Sequence, residues 1–137
     1  MPQPHNAEPR LKPDILVIMP DQMRGDCLSA LRHHVVRTPQ MDQLAEQGVL
    51  FRRAYATVAS CIPARYALLT GLYPQTSGVV GFKAKPISTK PLPESLAQAC
   101  YTTVLVGRNM HQVPESGACG YQKRILGSTY VSDDAYD

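Results

Sequence analysis

The stretch that most constrains this chain is Ser60-Cys61-Ile62-Pro63-Ala64-Arg65-Tyr66-Ala67-Leu68-Leu69-Thr70-Gly71. Pro63 suits the first helical position, where a missing N–H costs nothing, and Gly71 suits a left-handed stop. Between them Ala, Arg and Leu are good helix formers. The spacing therefore predicts a short helix with Cys61 at its mouth, where free N–H groups and the positive end of the helix dipole gather. Arg65, four residues on, shares a face with Cys61 and adds a planar cation. A sulfur nucleophile beside an anion cradle points to chemistry on a sulfate or a phosphate.

Upstream, Ile15-Leu16-Val17-Ile18-Met19 is an unbroken apolar run between Pro13-Asp14 and Pro20-Asp21. Such a run fits a strand covered on both faces, as in a parallel sheet. Asp21 and Gln22 would then lie just past its carboxyl end, where open α/β sheets place ligands. By residue type alone, they read first as turn residues. Met23 to His34 is a loop or a short helical turn, with His33 and His34 on the surface. Thr38-Pro39 opens a helix striped by Met41, Leu44 and Ala45 and closed by Gly48. Val49 to Ala56, rich in Val, Phe and Tyr, predicts a strand.

Downstream of Gly71 the chain reads as a Gly/Ser stretch to Gly81 and a proline-broken loop from Lys83 to Pro93. Leu92 or Pro93 starts a short helix running through Glu94 to Ala99. Thr102 to Val106 is a second buried strand, and it ends at Gly107-Arg108-Asn109-Met110-His111, a second candidate site. A capping Arg108 and a loop His111 are the alternative there. From Gly117 the pattern is loop-like, and Asp133, Asp134 and Asp137 read as a solvated acidic tail.

A chain of 137 residues with 44% hydrophobic content is compatible with one globular domain. Its net charge of +3 is too mild and too scattered to argue for nucleic acid. No run of 18 apolar residues exists, so no membrane span is expected. Residues 1–13 read as a disordered lead-in without an apolar signal core, which makes the cytoplasm the expected location. Cys27, Cys100 and Cys119 match no zinc spacing and are expected to be small buried residues.

Cys61-x-Pro63-x-Arg65 with Leu69-Thr70-Gly71 resembles the signature of the type I sulfatases. Ile15 to Gln22 and Thr38-Pro39-Gln40-Met41-Asp42-Gln43-Leu44-Ala45 extend the resemblance, in the family's order, from Asp14 to about Asp137. The resemblance implies an α/β fold of the alkaline-phosphatase-like sulfatase type, with a mostly parallel sheet flanked by helices. Residues 14–137 would be the N-terminal part of its catalytic domain. It further implies oxidation of Cys61 to Cα-formylglycine by a formylglycine-generating enzyme, and a divalent cation held by Asp21, Gln22 and residue 61. Calcium is the expected ion, with manganese or magnesium as alternatives. Gln22 stands where the family usually has a second aspartate, as in relatives that resemble phosphonate monoester hydrolases; a carboxamide oxygen is an acceptable ligand for a hard cation. Glycine usually stands at the position of Cys100.

By the same resemblance, the hydrate of residue 61 attacks the sulfur of a sulfate ester carried by a small molecule or a sugar. Arg65 and Arg108 offset charge on the equatorial oxygens, and His111 protonates the leaving oxygen. Arg108 takes the place of the family's lysine, and His111 lies one residue later than the family's histidine. Two other readings stand beside sulfate-ester hydrolysis: phosphonate monoester or phosphodiester hydrolysis, and a truncated, non-catalytic fragment. The family's remaining metal ligands lie downstream of this stretch, so the chain alone is expected to be inactive. Its oligomeric state is not legible in the sequence.

Overall fold

The computed structural model describes residues 12–83, 85–107 and 118–126. In chain order these form a 3-10 turn at Ser29–Leu31, then α1 (Pro39–Gln47), α2 (Cys61–Thr70), α3 (Pro74–Ser77) and α4 (Leu92–Gln98). Two strands follow, β1 (Val104–Gly107) and β2 (Lys123–Leu126). α2 packs against both α3 and α4. It buries Ile62, Pro63, Ala67 and Leu69, alongside Pro74, Val79, Pro91, Pro93 and Thr103. A fully buried Ile or Leu side chain stabilises by about 1.5–3 kcal/mol, so this small cluster is the centre of the described fold. No helix among the described residues is long and apolar enough to cross a membrane.

The ends of α2 follow local chemistry. Ser60 is extended (φ −138°, ψ 139°) and Cys61 is the first helical residue. Pro63 occupies the third position rather than the expected first. The difference is harmless because the first helical donor is Ala64, whose N–H reaches Ser60 O at 3.1 Å. Gly71 ends the helix at φ 71°, donating to Ala67 O.

Thr38 and Gly48 bracket α1 as the sequence predicts. Its stripe is only partly covered, since Leu44 is 64% exposed and no residue of α1 is buried. The Thr38 hydroxyl does not cap the helix. It accepts from the Ser29 N–H at 3.0 Å and donates to Asp42 Oδ1 at 3.2 Å. The Ser29 hydroxyl donates to Asp42 Oδ2 at 2.5 Å, and the Ala30 N–H to Oδ1 at 2.9 Å. These donors, the Ser29 hydroxyl foremost, hold the Asp42 carboxyl below its ordinary range and tie the 3-10 turn to α1.

α4 closes with paired backbone bonds: Cys100 N–H to Ala97 O at 2.9 Å and Tyr101 N–H to Leu96 O at 3.0 Å. That motif requires a left-handed residue after the helix, and Cys100 supplies it at φ 64°. β1 and β2 then pair in parallel, Val104 opposite Lys123 and Gly107 opposite Leu126. Thr103 and Gln122 brace the start of the pair. The Thr103 N–H donates to the Gln122 side-chain oxygen at 3.0 Å, and the Gln122 N–H donates to the Thr103 hydroxyl at 3.1 Å. Gly120 (φ 87°) lies so close to α4 that a Cβ there would meet Pro91 Cγ at 2.7 Å and Glu94 N at 2.9 Å.

Several expectations are corrected. Ile15 to Met19 takes no place in a ladder among the described residues, and these side chains are 48% to 84% exposed. The run records a demand for burial, but a parallel strand is completed by neighbours that its own sequence does not supply. Val49 to Ala56 is likewise irregular, with a turn at Arg52–Arg53, and all of it but the half-buried Leu50 is exposed. β1 exposes Val104 and Val106, so it is not covered on both faces. α3 lies within the stretch read as Gly/Ser loop, started by Pro74, and β2 lies where a loop was expected. Cys100 is exposed and Cys27 and Cys119 are half-buried, so none is the small buried residue expected; all four thiols are free.

Two substitutions test these backbone demands. Cys100→Gly should relieve the left-handed strain and stabilise the chain by about 1 kcal/mol. Gly120→Ala should destabilise it by about 2 kcal/mol, because backbone and proline ring resist the new methyl. Urea unfolding of both variants beside the parent checks the two signs.

Candidate functional site

Cys61 opens α2 with a half-buried thiol. The N–H groups of Cys61 and Ile62 precede the first helical bond and Pro63 has none, so the helix mouth offers two backbone donors. Arg65, one turn on, points its guanidinium to the turn that follows Ile15 to Met19. Its Nη2 donates to Asp21 Oδ1 at 3.2 Å. The Arg65 side chain is 19% exposed and that of Asp21 35%, so the pair sits at a partly shielded rim. An ion pair so placed contributes at most about 1 kcal/mol. Its consequence is positional: it joins a carboxylate to the helix that begins with Cys61, across 44 residues of sequence.

Gln22 follows Asp21 in a left-handed conformation, φ 52°. For a longer side chain this is strained backbone, of the kind that tight turns and binding sites retain. Asp21 and Gln22 are consecutive in this turn and both carry hard oxygen atoms, the type that calcium, magnesium and manganese take. No group of three or more His, Cys, Asp or Glu residues able to hold a metal occurs among the described residues. Arg108 and His111, the expected second half of the site, lie outside the described residues, as do Asp133, Asp134 and Asp137. His33, expected on the surface, is half-buried, and its Nδ1 accepts from the N–H groups of Val35 and Val36. That bond pattern gives it a structural role.

Two neighbours of the site were not singled out from sequence. Ser60, directly before Cys61, keeps its Oγ buried without a hydrogen-bond partner. The usual donor to it, the third N–H of the helix, is absent because Pro63 stands there. That signal was available in the sequence. Tyr121 is the other. Burial, and then the neighbouring Cys119, push its phenol above its ordinary value, while the positive charge of Arg65 opposes them. Nothing local to Tyr121 announces this proximity, since 56 positions separate it from Arg65. Burial also pushes the Cys119 thiol up, against the opposing charge of Arg124.

Comparison with known proteins gives the family of the chain. The sulfatase family profile matches residues 13–137. An arylsulfatase of Clostridium perfringens is 36% identical over 124 residues, covering 88% of this chain and 25% of the relative. An N-acetylgalactosamine-6-O-sulfatase of Bacteroides thetaiotaomicron is 36% identical over 112 residues, covering 77% of this chain and 22% of the relative. Among solved structures, a phosphonate monoester hydrolase of Agrobacterium radiobacter superposes with a TM-score of 0.66 at 34% identity, over 77% of this chain and 24% of that one. The chain belongs to the sulfatase family. Its α/β architecture with parallel strands is part of the alkaline-phosphatase-like sulfatase fold. It spans about a quarter of the length of the relatives it matches.

The setting of Tyr121 predicts a pH dependence. Its neutral form is favoured in the fold, so the stability it adds is present below about pH 10 and is lost as pH rises through its higher folded value. Tyr121→Phe should blunt that alkaline loss in denaturation curves taken at stepped pH. A spectroscopic titration in which all phenols ionise together at the ordinary value would contradict this setting.

Proposed function

We propose that this chain carries the nucleophile half of a sulfuric ester hydrolase, with residue 61 as the attacking group after conversion to formylglycine. The observation that carries the reading is the Arg65–Asp21 contact, which brings a hard oxygen donor to the helix headed by Cys61. Asp21 and Gln22 would hold a divalent cation, calcium first, with manganese or magnesium as alternatives. That cation would supply Lewis-acid polarisation and lower the pKa of the attacking oxygen.

The chain's own residues then divide the work. The Cys61 and Ile62 N–H groups face the anion at the helix mouth. Arg65 orients Asp21 and leaves a cation beside the ester's charged oxygens. Arg108 and His111 remain the proposed pair for binding the anion and protonating the leaving oxygen. The alcohol or sugar bearing the sulfate would be selected by residues beyond this stretch.

A second reading has a specific observation behind it. The structural likeness to a phosphonate monoester hydrolase, together with Gln22, suits phosphonate or phosphodiester substrates, since one cradle accepts either tetrahedral anion.

Co-expression with a formylglycine-generating enzyme should give a peptide containing residue 61 with the mass loss of thiol to aldehyde. An unmodified thiol in every preparation would sink the proposed nucleophile. Converted chain assayed on matched nitrophenyl sulfate and phosphonate esters, with calcium or manganese, should not exceed a Cys61→Ala control. Asp21 and Gln22 are two donors of a shell that takes about six or more, and a misplacement of roughly 1 Å can cost about a hundredfold. Metal-dependent turnover above that control would show that the chain assembles a complete site, and the preferred ester would decide between the readings.

A further inference from the structure

The Arg65 guanidinium and the Asp21 carboxylate meet through one bond, Nη2 to Oδ1 at 3.2 Å. Charge-assisted bonds of this type usually run to about 2.7–2.9 Å, and they are strongest where the guanidinium fork grips both oxygens. Here it grips one, loosely. The pair lies at a partly shielded rim, so its charges are screened less than those of an open surface pair. Within the turn, Asp21 brings the negative charge and Gln22 only a neutral carboxamide. The next carboxylate along the chain, Asp26, is already engaged by Arg24.

We infer that Arg65 holds the cation affinity of Asp21 down, because the guanidinium and a divalent cation draw on the same single negative charge. This rests on the proposed cation at Asp21 and Gln22 and deepens that reading. Those two residues together carry one negative charge and Arg65 carries one positive, so the set offers an incoming ion no net charge. The charge count of the ligands is a main determinant of affinity for hard cations. Two positive charges drawn to one carboxylate also repel each other, the more so where solvent is partly excluded. The coupling is reciprocal: an ion on Asp21 weakens the Arg65 contact by the factor by which Arg65 weakens the ion. A guanidinium loosened in this way turns more readily to the ester's charged oxygens, so cation loading and the availability of Arg65 rise together. Toward the ion, Arg65 acts only through Asp21.

The experiment reads binding rather than turnover. Manganese chloride, whose paramagnetism broadens nearby amide signals even at weak occupancy, is titrated into the full chain at constant ionic strength. The Gln22 amide is followed by NMR, and calcium chloride is then added to displace the manganese. Arg65→Gln, which keeps a side-chain donor without the charge, should lower the manganese midpoint by roughly tenfold, within the usual range for coupled sites. Arg65→Ala should do the same, and Arg65→Gln carries the test should Arg65→Ala fail to fold. Arg65→Lys keeps the charge and should stay within about threefold of the parent. Asp21→Asn should abolish the broadening. In the parent, the Arg65 side-chain Nε–H signal should shift along a calcium titration with the midpoint of the Gln22 amide.

Unchanged or weaker binding in Arg65→Gln, with Asp21→Asn still abolishing it, would mean that the contact does not neutralise the carboxylate. That result overturns the inference and leaves the cation at Asp21 standing. Tightening by Arg65→Lys as large as that by Arg65→Gln would assign the effect to shape rather than charge, and overturns it too. Broadening that is absent in every chain, or that survives Asp21→Asn unchanged, would instead sink the proposed cation at Asp21, and the inference with it.

Discussion

Burial of Ile62, Pro63, Ala67 and Leu69 along one side of α2 is the constraint on which the rest of the described structure depends. α3 and α4 are short and have no stripe long enough to fold alone; both are held because they cover this helix. With those residues turned inward, Cys61 and Arg65 occupy partly open positions of the same helix. The packing that stabilises α2 therefore also fixes where Cys61 and Arg65 sit. A cysteine on a loop would have to be positioned by other means; here the helix fixes its place.

The second level is long-range and weak. A rim ion pair adds little free energy, yet Arg65 and Asp21 define which turn faces the helix mouth. The same holds for the Gly120 approach to α4 and the Thr103–Gln122 brace, which fix where β2 lies beside β1. Tyr121 comes into range of Arg65 in the chain segment that joins these two contacts. Strain at Gln22 and Cys100 and the unpaired Ser60 hydroxyl are local costs retained at or near these junctions. In a fold with so small a buried cluster, each is a sizeable fraction of the total.

Elements whose signals are local were legible in the sequence. Thr38-Pro39 with Gly48 bounds α1, Gly71 stops α2, and Leu92-Pro93 opens α4, because caps and proline positions act through the nearest backbone groups. Elements that need a partner were not legible in the same way. Ile15 to Met19 and Val49 to Ala56 carry strand-forming side chains yet pair with nothing among the described residues, whereas Lys123–Leu126 reads as loop and forms β2. Strand formation is settled by the ladder across from it, so β propensity alone misplaces it.

By itself the sequence determined the family motifs, a short helix with Cys61 at its mouth, and the shared face of Cys61 and Arg65. Each follows from residue chemistry within one or two turns of chain. Only the tertiary structure decided that Arg65 reaches Asp21, that Tyr121 lies within range of Arg65, and that the Ser60 hydroxyl is enclosed without a partner. Those facts depend on which distant segments pack together. Packing is set by the summed burial of many side chains rather than by any local pattern.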